Sequence, residues 1–390
     1  DANSIYIADS DYLESAESRE LSGVYYPVWD EDGSFTLEFE WEPIVFAINH
    51  QQEVGLFGYQ IPFLPDALQD HTLLGQTDAE RMAEVLARIE QLVIGLRKYR
   101  EAAYALRFTA VPASGSIEVA LLGRVLTSIG QAEKMAAQTA ADLEAHLASF
   151  GLPAVALAKT PASGTPAKPL AEVFQPFSGA FALVEIRQRE AVVPLLTVGG
   201  EAYVIHPYWG AGGAMLEPFE TLLRQPAPVA VSVFLQPTEL TNAEYDSLSE
   251  AAHLAQTLAD LDVKTFSDTG IRRRRDPNAE LVGRIYSAYL KSLVEPFILA
   301  VQVASPDPNA AWTAARAFSS AMAVQTRGKL GREDDERQLP SGADIHVPQG
   351  PPEFQMALHT FHHLIWSPWG NGRASPGKER LPYLVGARAA

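Results

Sequence analysis

The 390-residue chain contains no cysteine. That excludes disulfide staples, thiolate metal sites and cysteine nucleophiles, and it accords with a reducing, cytoplasmic compartment. Long apolar runs are missing as well. The longest, such as 297–304, are of strand length, far short of the roughly 20 residues that cross a bilayer. No membrane insertion is expected. The opening stretch DANSIYIADSDYLES has neither a basic n-region nor an apolar h-region, so no signal peptide is expected. It also has no initiator Met, and a trimmed chain is expected. Cations are scarce: 30 Lys and Arg stand against 48 Asp and Glu, for a net charge of −18. Nucleic-acid binding depends on Lys and Arg that neutralise phosphates. A broad nucleic-acid face is therefore not expected, although a local basic patch is left open. No G-x-S-x-G nucleophile elbow occurs. The paired acids Asp334 and Asp335 stand in a polar stretch, where a solvated surface is the default.

What remains is globular in composition, with 47% apolar and 20% charged residues. The length calls for two or three domains. Residues 3–49 read as strands. In 35–41, Phe35, Leu37, Phe39 and Trp41 alternate with Thr36, Glu38 and Glu40, the period of a strand with one buried face. Thr77 and Asp78 offer N-caps to a long helix. Its apolar stripe runs through Met82, Val85, Leu86, Ile89, Leu92, Val93, Leu96 and Tyr99. Strands 104–111 and 116–127 follow, then a helix over 130–150 that Gly151 and Pro153 end. In the second half, strands are expected at 180–189, 192–206, 228–235 and 296–304, and helices at 242–261, 277–293, 308–322 and 353–364.

The fold class expected is α/β, of the α+β kind. A β-rich N-terminal region (1–76) precedes a first α/β unit (77–159). A Pro- and Gly-rich linker (160–169) leads to a second unit (170–324), and a Pro/Gly-rich segment (325–390) ends the chain. Both units read as helices laid on one face of a sheet, in the ferredoxin-like manner, which suggests an internal duplication.

Four clusters are candidates for chemistry. Arg272, Arg273, Arg274 and Arg275 form the sharpest charge feature. They are placed in a polar loop that touches a partner or a phosphate, or is simply solvated. Gly372, Gly377 and Lys378 fit G-x-x-x-x-G-K, but Glu379 replaces the Ser/Thr whose hydroxyl holds Mg²⁺. Pro382 also forbids the helix that a phosphate loop needs, so the ordinary reading is a coincidental loop. His359, His362 and His363 fall at i, i+3 and i+4 on a helix. That spacing suits a metal, or equally a set of half-buried core histidines. Gly210–Gly213 reads as a tight turn before a phosphate cradle.

Four segments carry a resemblance: LRKYREAAYALRFTAVPASGSIEVALLGRV, PVAVSVFLQPTELTNAEYDSLSEAA, EPFILAVQVASPDPNAAWTAARAFSSAMA and the terminal RLPYLVGARAA. Together they resemble the region preceding the motor in ATPases of the HerA, conjugation-type (type IV secretion) and FtsK-like superfamily. The resemblance covers most of residues 95–390. It implies a non-catalytic assembly and docking region for a translocase that moves DNA or protein. The partners it implies are further copies in a ring, such as a hexamer, or an effector or channel protein. ATP and Mg belong to the motor, so no cofactor is expected in this chain. The chain carries neither a Walker A Lys-Ser/Thr nor a Walker B acid, so no catalytic residue transfers. A stand-alone structural adaptor of a secretion, phage-related or defence assembly fits the same features. An enzyme built on the histidine cluster is the third reading.

Overall fold

The computed structural model describes residues 6–8, 24–29, 35–40, 52–62, 77–128, 130–157, 168–196, 200–208, 216–260, 263–267, 270–274, 276–323, 342–370, 379–387 and 389–390. Three short strands come first: β1 (Tyr6–Ala8), β2 (Val24–Trp29) and β3 (Phe35–Glu40). A first repeat then runs β4 (Gln52–Ile61), α1 (Asp78–Gly95), β5 (Ala102–Val111), β6 (Ser116–Ser128), α2 (Ala132–Ser149) and β7 (Val155–Ala156). The short helix α3 (Leu170–Phe174) follows.

The second repeat opens with β8 (Ala182–Pro194), which forms a hairpin with β9 (Glu201–His206), then α4 (Leu216–Leu223) and β10 (Val229–Pro237). A helical hairpin is inserted next. It comprises α5 (Asn242–Asp260), the strand pair β11 (Val263–Ser267) and β12 (Gly270–Arg274), and α6 (Pro277–Ser292). The repeat closes with β13 (Pro296–Ser305), α7 (Pro308–Met322) and β14 (Ala343–His346). Helix α8 (Gly350–His363) and strand β15 (Leu384–Gly386) complete the chain.

The main sheet is antiparallel, in the order β1-β4-β6-β5-β10-β13-β8-β14, with β7 also on β4 and β15 on β13. Read inward from the edges, each repeat gives one topology. β7-β4-β6-β5 and β14-β8-β13-β10 are both the fourth, first, third and second strands of a βαββαβ unit, the ferredoxin-like order. The two meet at β5 and β10, in register from Ala110 opposite Val229 to Tyr104 opposite Leu235. The expected α+β class with two helix-on-sheet units is what the chain adopts. The first unit begins earlier than its helix pattern predicts, because β4 supplies its first strand. Segment 342–387 is not a free tail: β14, α8 and β15 all join the second unit. The linker residues 158–167 lie outside the described residues.

Local signals explain the element ends. Thr77 caps α1 and accepts from the Glu80 backbone N–H, while the Glu80 carboxylate accepts from the Thr77 N–H at 2.7 Å. Asp276 and Asp307 cap α6 and α7, each followed by Pro at the first helical position. Alternation along the strands then divides the core. One face carries Phe57, Tyr104, Val231, Val301 and Ile186 under α1, α2, α4 and α7, and it is apolar throughout. The other face lies under α3, α5, α6 and α8.

Candidate functional site

The second face of the sheet breaks the usual rule for a buried surface. In one register row, Arg107 on β5 stands opposite Ser232 on β10, Ser232 opposite Gln302 on β13, and Gln302 opposite Glu185 on β8. All four are fully buried. A polar row in the middle of a covered sheet is costly unless each group finds a partner. Here the partners are backbone carbonyls of the segment that lies across the row.

Arg107 donates to the carbonyls of Val173 and Phe174 at 2.7 Å, to Phe361 at the end of α8, and to the Ser232 hydroxyl. Gln302 donates to Ala357 at 2.9 Å and to the Glu185 carboxylate at 3.1 Å. On β6, Arg124 donates through Nε and Nη2 to Leu364, the left-handed residue just past α8. Arg187 pairs with Glu185 at 2.6 Å, donates to Trp369, and stacks 3.9 Å from the Trp369 ring centroid. Gln188 reaches the carbonyls of Leu381, Pro382 and Leu384, and the Tyr289 hydroxyl shares its proton between Leu381 and Leu384. The described stretches 357–369 and 381–384 are thus gripped by their carbonyls. Arg107 and Arg124 also bring positive charge to the C-terminal end of α8, where the helix dipole favours it. Burial pushes Arg107 down to about 9 and Arg124 down to about 10, which leaves both charged at neutral pH. Arg107 Nε, Gln188 Oε1 and Gln302 Oε1 have no hydrogen-bond partner among the described residues.

The predicted histidines lie on α8 beside this row. The His359 and His363 rings are 5.5 Å apart between centroids, and His362 packs among Phe181, Phe361 and His363. Burial, then the charge of His363, pushes His359 down to about 4. Burial also lowers His362 and His363. Among the described residues, no group of three or more His, Cys, Asp or Glu is arranged to hold a metal ion. Gly372, Gly377 and Lys378 lie outside the described residues, as do Arg275 and 210–213.

Arg272, Arg273 and Arg274 are not in a loop. They form β12, in register with Thr265, Lys264 and Val263 of β11. The charged run hides a strand signal that Val263, Thr265 and Ile271 carry. The strand pair connects α5 to α6, at whose joined ends Leu195 of the β8–β9 turn packs on Leu258, Ala259 and Ala279. A further cavity of about 270 Å³ lies between residues 95–99 and α2. Its lining includes Tyr104, Asp142, His146 and Thr139, whose buried hydroxyl has no partner among the described residues.

Sequence reasoning missed the polar row altogether. The signal was a single polar residue inside an otherwise apolar strand: Arg107 in AYALRFTAV, Arg124 in ALLGRVL and Gln302 in LAVQVAS. No protein-family model matches the chain, and no curated protein matches it at a significant level.

Proposed function

We propose that this chain is a non-catalytic assembly and docking region of a HerA-like or secretion-type ATPase that translocates DNA or protein. The observation that carries the reading is the grip on segment 357–384. Backbone carbonyls from Ala357 to Leu384 accept hydrogen bonds from side chains of β5, β6, β8, β13 and α6. Such a grip depends little on the side chains of the gripped residues, and it ties residues 357–369 and 381–384 to the sheet. Ties of this kind suit a module that carries load between neighbours better than one that opens around a substrate. The segments resembling the pre-motor region of these ATPases include the gripping strands themselves, ALRFTAV and LAVQVAS. In this reading the partners are other copies of the chain in a ring, or an effector or channel protein. ATP and Mg are used by the motor, not by this region.

The full gene product tests the proposal. The reading predicts an intact mass well above 42.4 kDa, a G-x-x-x-x-G-K-[ST] sequence beyond residue 390, and ATP hydrolysis by that product. A product that ends at Ala390 and hydrolyses no ATP would transfer the reading to a stand-alone adaptor subunit.

A further inference from the structure

Helix α1 ends beside α2 in an arrangement that leaves a space between them. The helix tightens after Gly95 into a single 3₁₀ turn, Leu96–Lys98, where the Leu96 N–H returns to the Val93 carbonyl. The Leu92 carbonyl is thereby released from its usual partner four residues on. It accepts instead from His146 Nε2 of α2 at 3.0 Å. Gly95 is required for that contact, because a Cβ there would lie 2.1 Å from the same ring nitrogen. Gly95 and His146 both line the cavity of about 270 Å³.

On α2, Thr139, Asp142, Leu143 and His146 recur at three and four residues, so they share the helix face that walls the cavity. Thr139 is the unusual member. A threonine inside a helix can satisfy its hydroxyl on the carbonyl four residues back, here that of Met135. Thr139 does not: it is fully buried, and its hydroxyl has no partner among the described residues. A buried hydroxyl without a partner destabilises the fold, and a valine of the same shape avoids that cost. The wall from residues 95–104 is apolar and aromatic, with Leu96 and Tyr104 buried. At the exposed rim, Lys98 Nζ and the Tyr99 hydroxyl donate to one oxygen of Asp142, Oδ2, the former at 2.5 Å. Asp142 Oδ1 takes no part in either bond. The hydrogen bonds from Lys98, then Tyr99, hold the Asp142 carboxyl below its ordinary range, so the Lys98–Asp142 pair is ionised and has no net charge.

Two ligand classes are disfavoured by this lining. A charged molecule would lose its hydration and meet a rim that is already neutral. A hydrocarbon would leave the Thr139 hydroxyl unpaired. In size, an apolar cavity of about 150 Å³ already takes benzene, so the larger space here takes one substituted ring. Thr139 and Asp142 stand one helical turn apart, about 5–6 Å between Cβ atoms, which suits a ring with a polar group at each end. The geometry points to a binding site for a small neutral ring hydroxylated at both ends, such as a phenolic alcohol. One hydroxyl pairs with Thr139, the ring lies against Leu96, Tyr104 and Leu143, and the other hydroxyl donates to Asp142 Oδ1. The site belongs to the first repeat and to the apolar face of the sheet, apart from the residues that hold α8. It does not depend on the assembly reading.

Isothermal titration of the 390-residue chain with 4-hydroxybenzyl alcohol tests the inference. Saturable binding at one site per chain is expected, with toluene and benzoate each weaker by about tenfold or more. Thr139→Val keeps the shape of the side chain and removes the hydroxyl. It is expected to fold at least as stably as the wild type and to bring the affinity for the alcohol down to that for toluene. Asp142→Ala, at the exposed rim, is expected to weaken the alcohol several-fold and leave toluene unchanged. The absence of saturable binding means that water alone occupies the cavity, and it overturns the inference. Toluene binding as tightly as the alcohol overturns it too, because the cavity is then only an apolar void. So does an affinity for the alcohol that Thr139→Val leaves untouched. If Thr139→Val does not fold, Asp142→Ala decides alone, and an unchanged affinity in that variant overturns the inference.

Discussion

The two faces of the main sheet are made from the same strands and solve burial in opposite ways. Under α1, α2, α4 and α7, the face is closed by Phe, Tyr, Val, Leu and Ala, and many alternative apolar contacts would serve nearly as well. Under α8, the face is closed by Arg107, Ser232, Gln302, Glu185 and Arg187, each of which accepts only particular partners at particular points. The apolar face supplies folding energy without much direction. The polar face supplies direction: α8 and the segment after it sit in one register or leave buried charge uncovered.

The comparison breaks most visibly at the buried ion pair. Arg187→Met leaves Glu185 charged and buried without its partner, and a loss on the order of 4 kcal/mol in denaturant unfolding is expected. The joint change Glu185→Leu, Arg187→Met removes both charges and is expected to return to within about 1 kcal/mol of the wild type. In the double variant, however, hydrogen exchange at 357–370 should be faster, because the seat has lost its direction. Exchange at 132–149, in α2 on the apolar side, should be unchanged.

The next largest effect is expected at Gly386. A Cβ there would lie 1.9 Å from the Ser292 carbonyl oxygen, so β15 or the end of α6 has to move. Gly386→Ala should cost about 2 kcal/mol and should speed exchange at Phe297 and Ile298, the β13 residues paired with β15.

Acid separates the faces through the histidines of α8. Burial keeps His359, His362 and His363 neutral in the folded state, His359 down to about 4. Below the ordinary histidine value of about 6.5 the unfolded chain takes up these protons first. The stability gained by keeping the rings neutral is full above that value and is lost as pH falls from there through about 4. Chemical unfolding at pH 7 and pH 5 should show the decline, and His359→Gln should flatten it. The smallest effect is expected at the exposed start of α1, where Thr77→Ala removes the cap for about 1 kcal/mol.

Much of this architecture was legible from local pattern. The Thr77 cap, helix 308–322 with Asp307 ahead of it and Pro308 at its first position, and the paired strands around the 112–115 turn all follow from signals a few residues long. β4 was hidden because both of its faces are buried and Gly55 and Gly58 dilute its strand character. Those glycines are needed: a Cβ on Gly55 would lie 2.7 Å from the Ala132 carbonyl oxygen. β12 was hidden by its charge. The polar row was not legible at all, because Arg107, Ser232 and Gln302 are united only by strand register across more than a hundred residues. Each looks like a single blemish in an apolar strand until the sheet aligns them.

The account stands most directly on the native mass of the wild-type chain, measured by sedimentation velocity across a wide concentration range. An assembly region predicts species at multiples of 42.4 kDa that gain population with concentration. A single 42.4 kDa species throughout would contradict it.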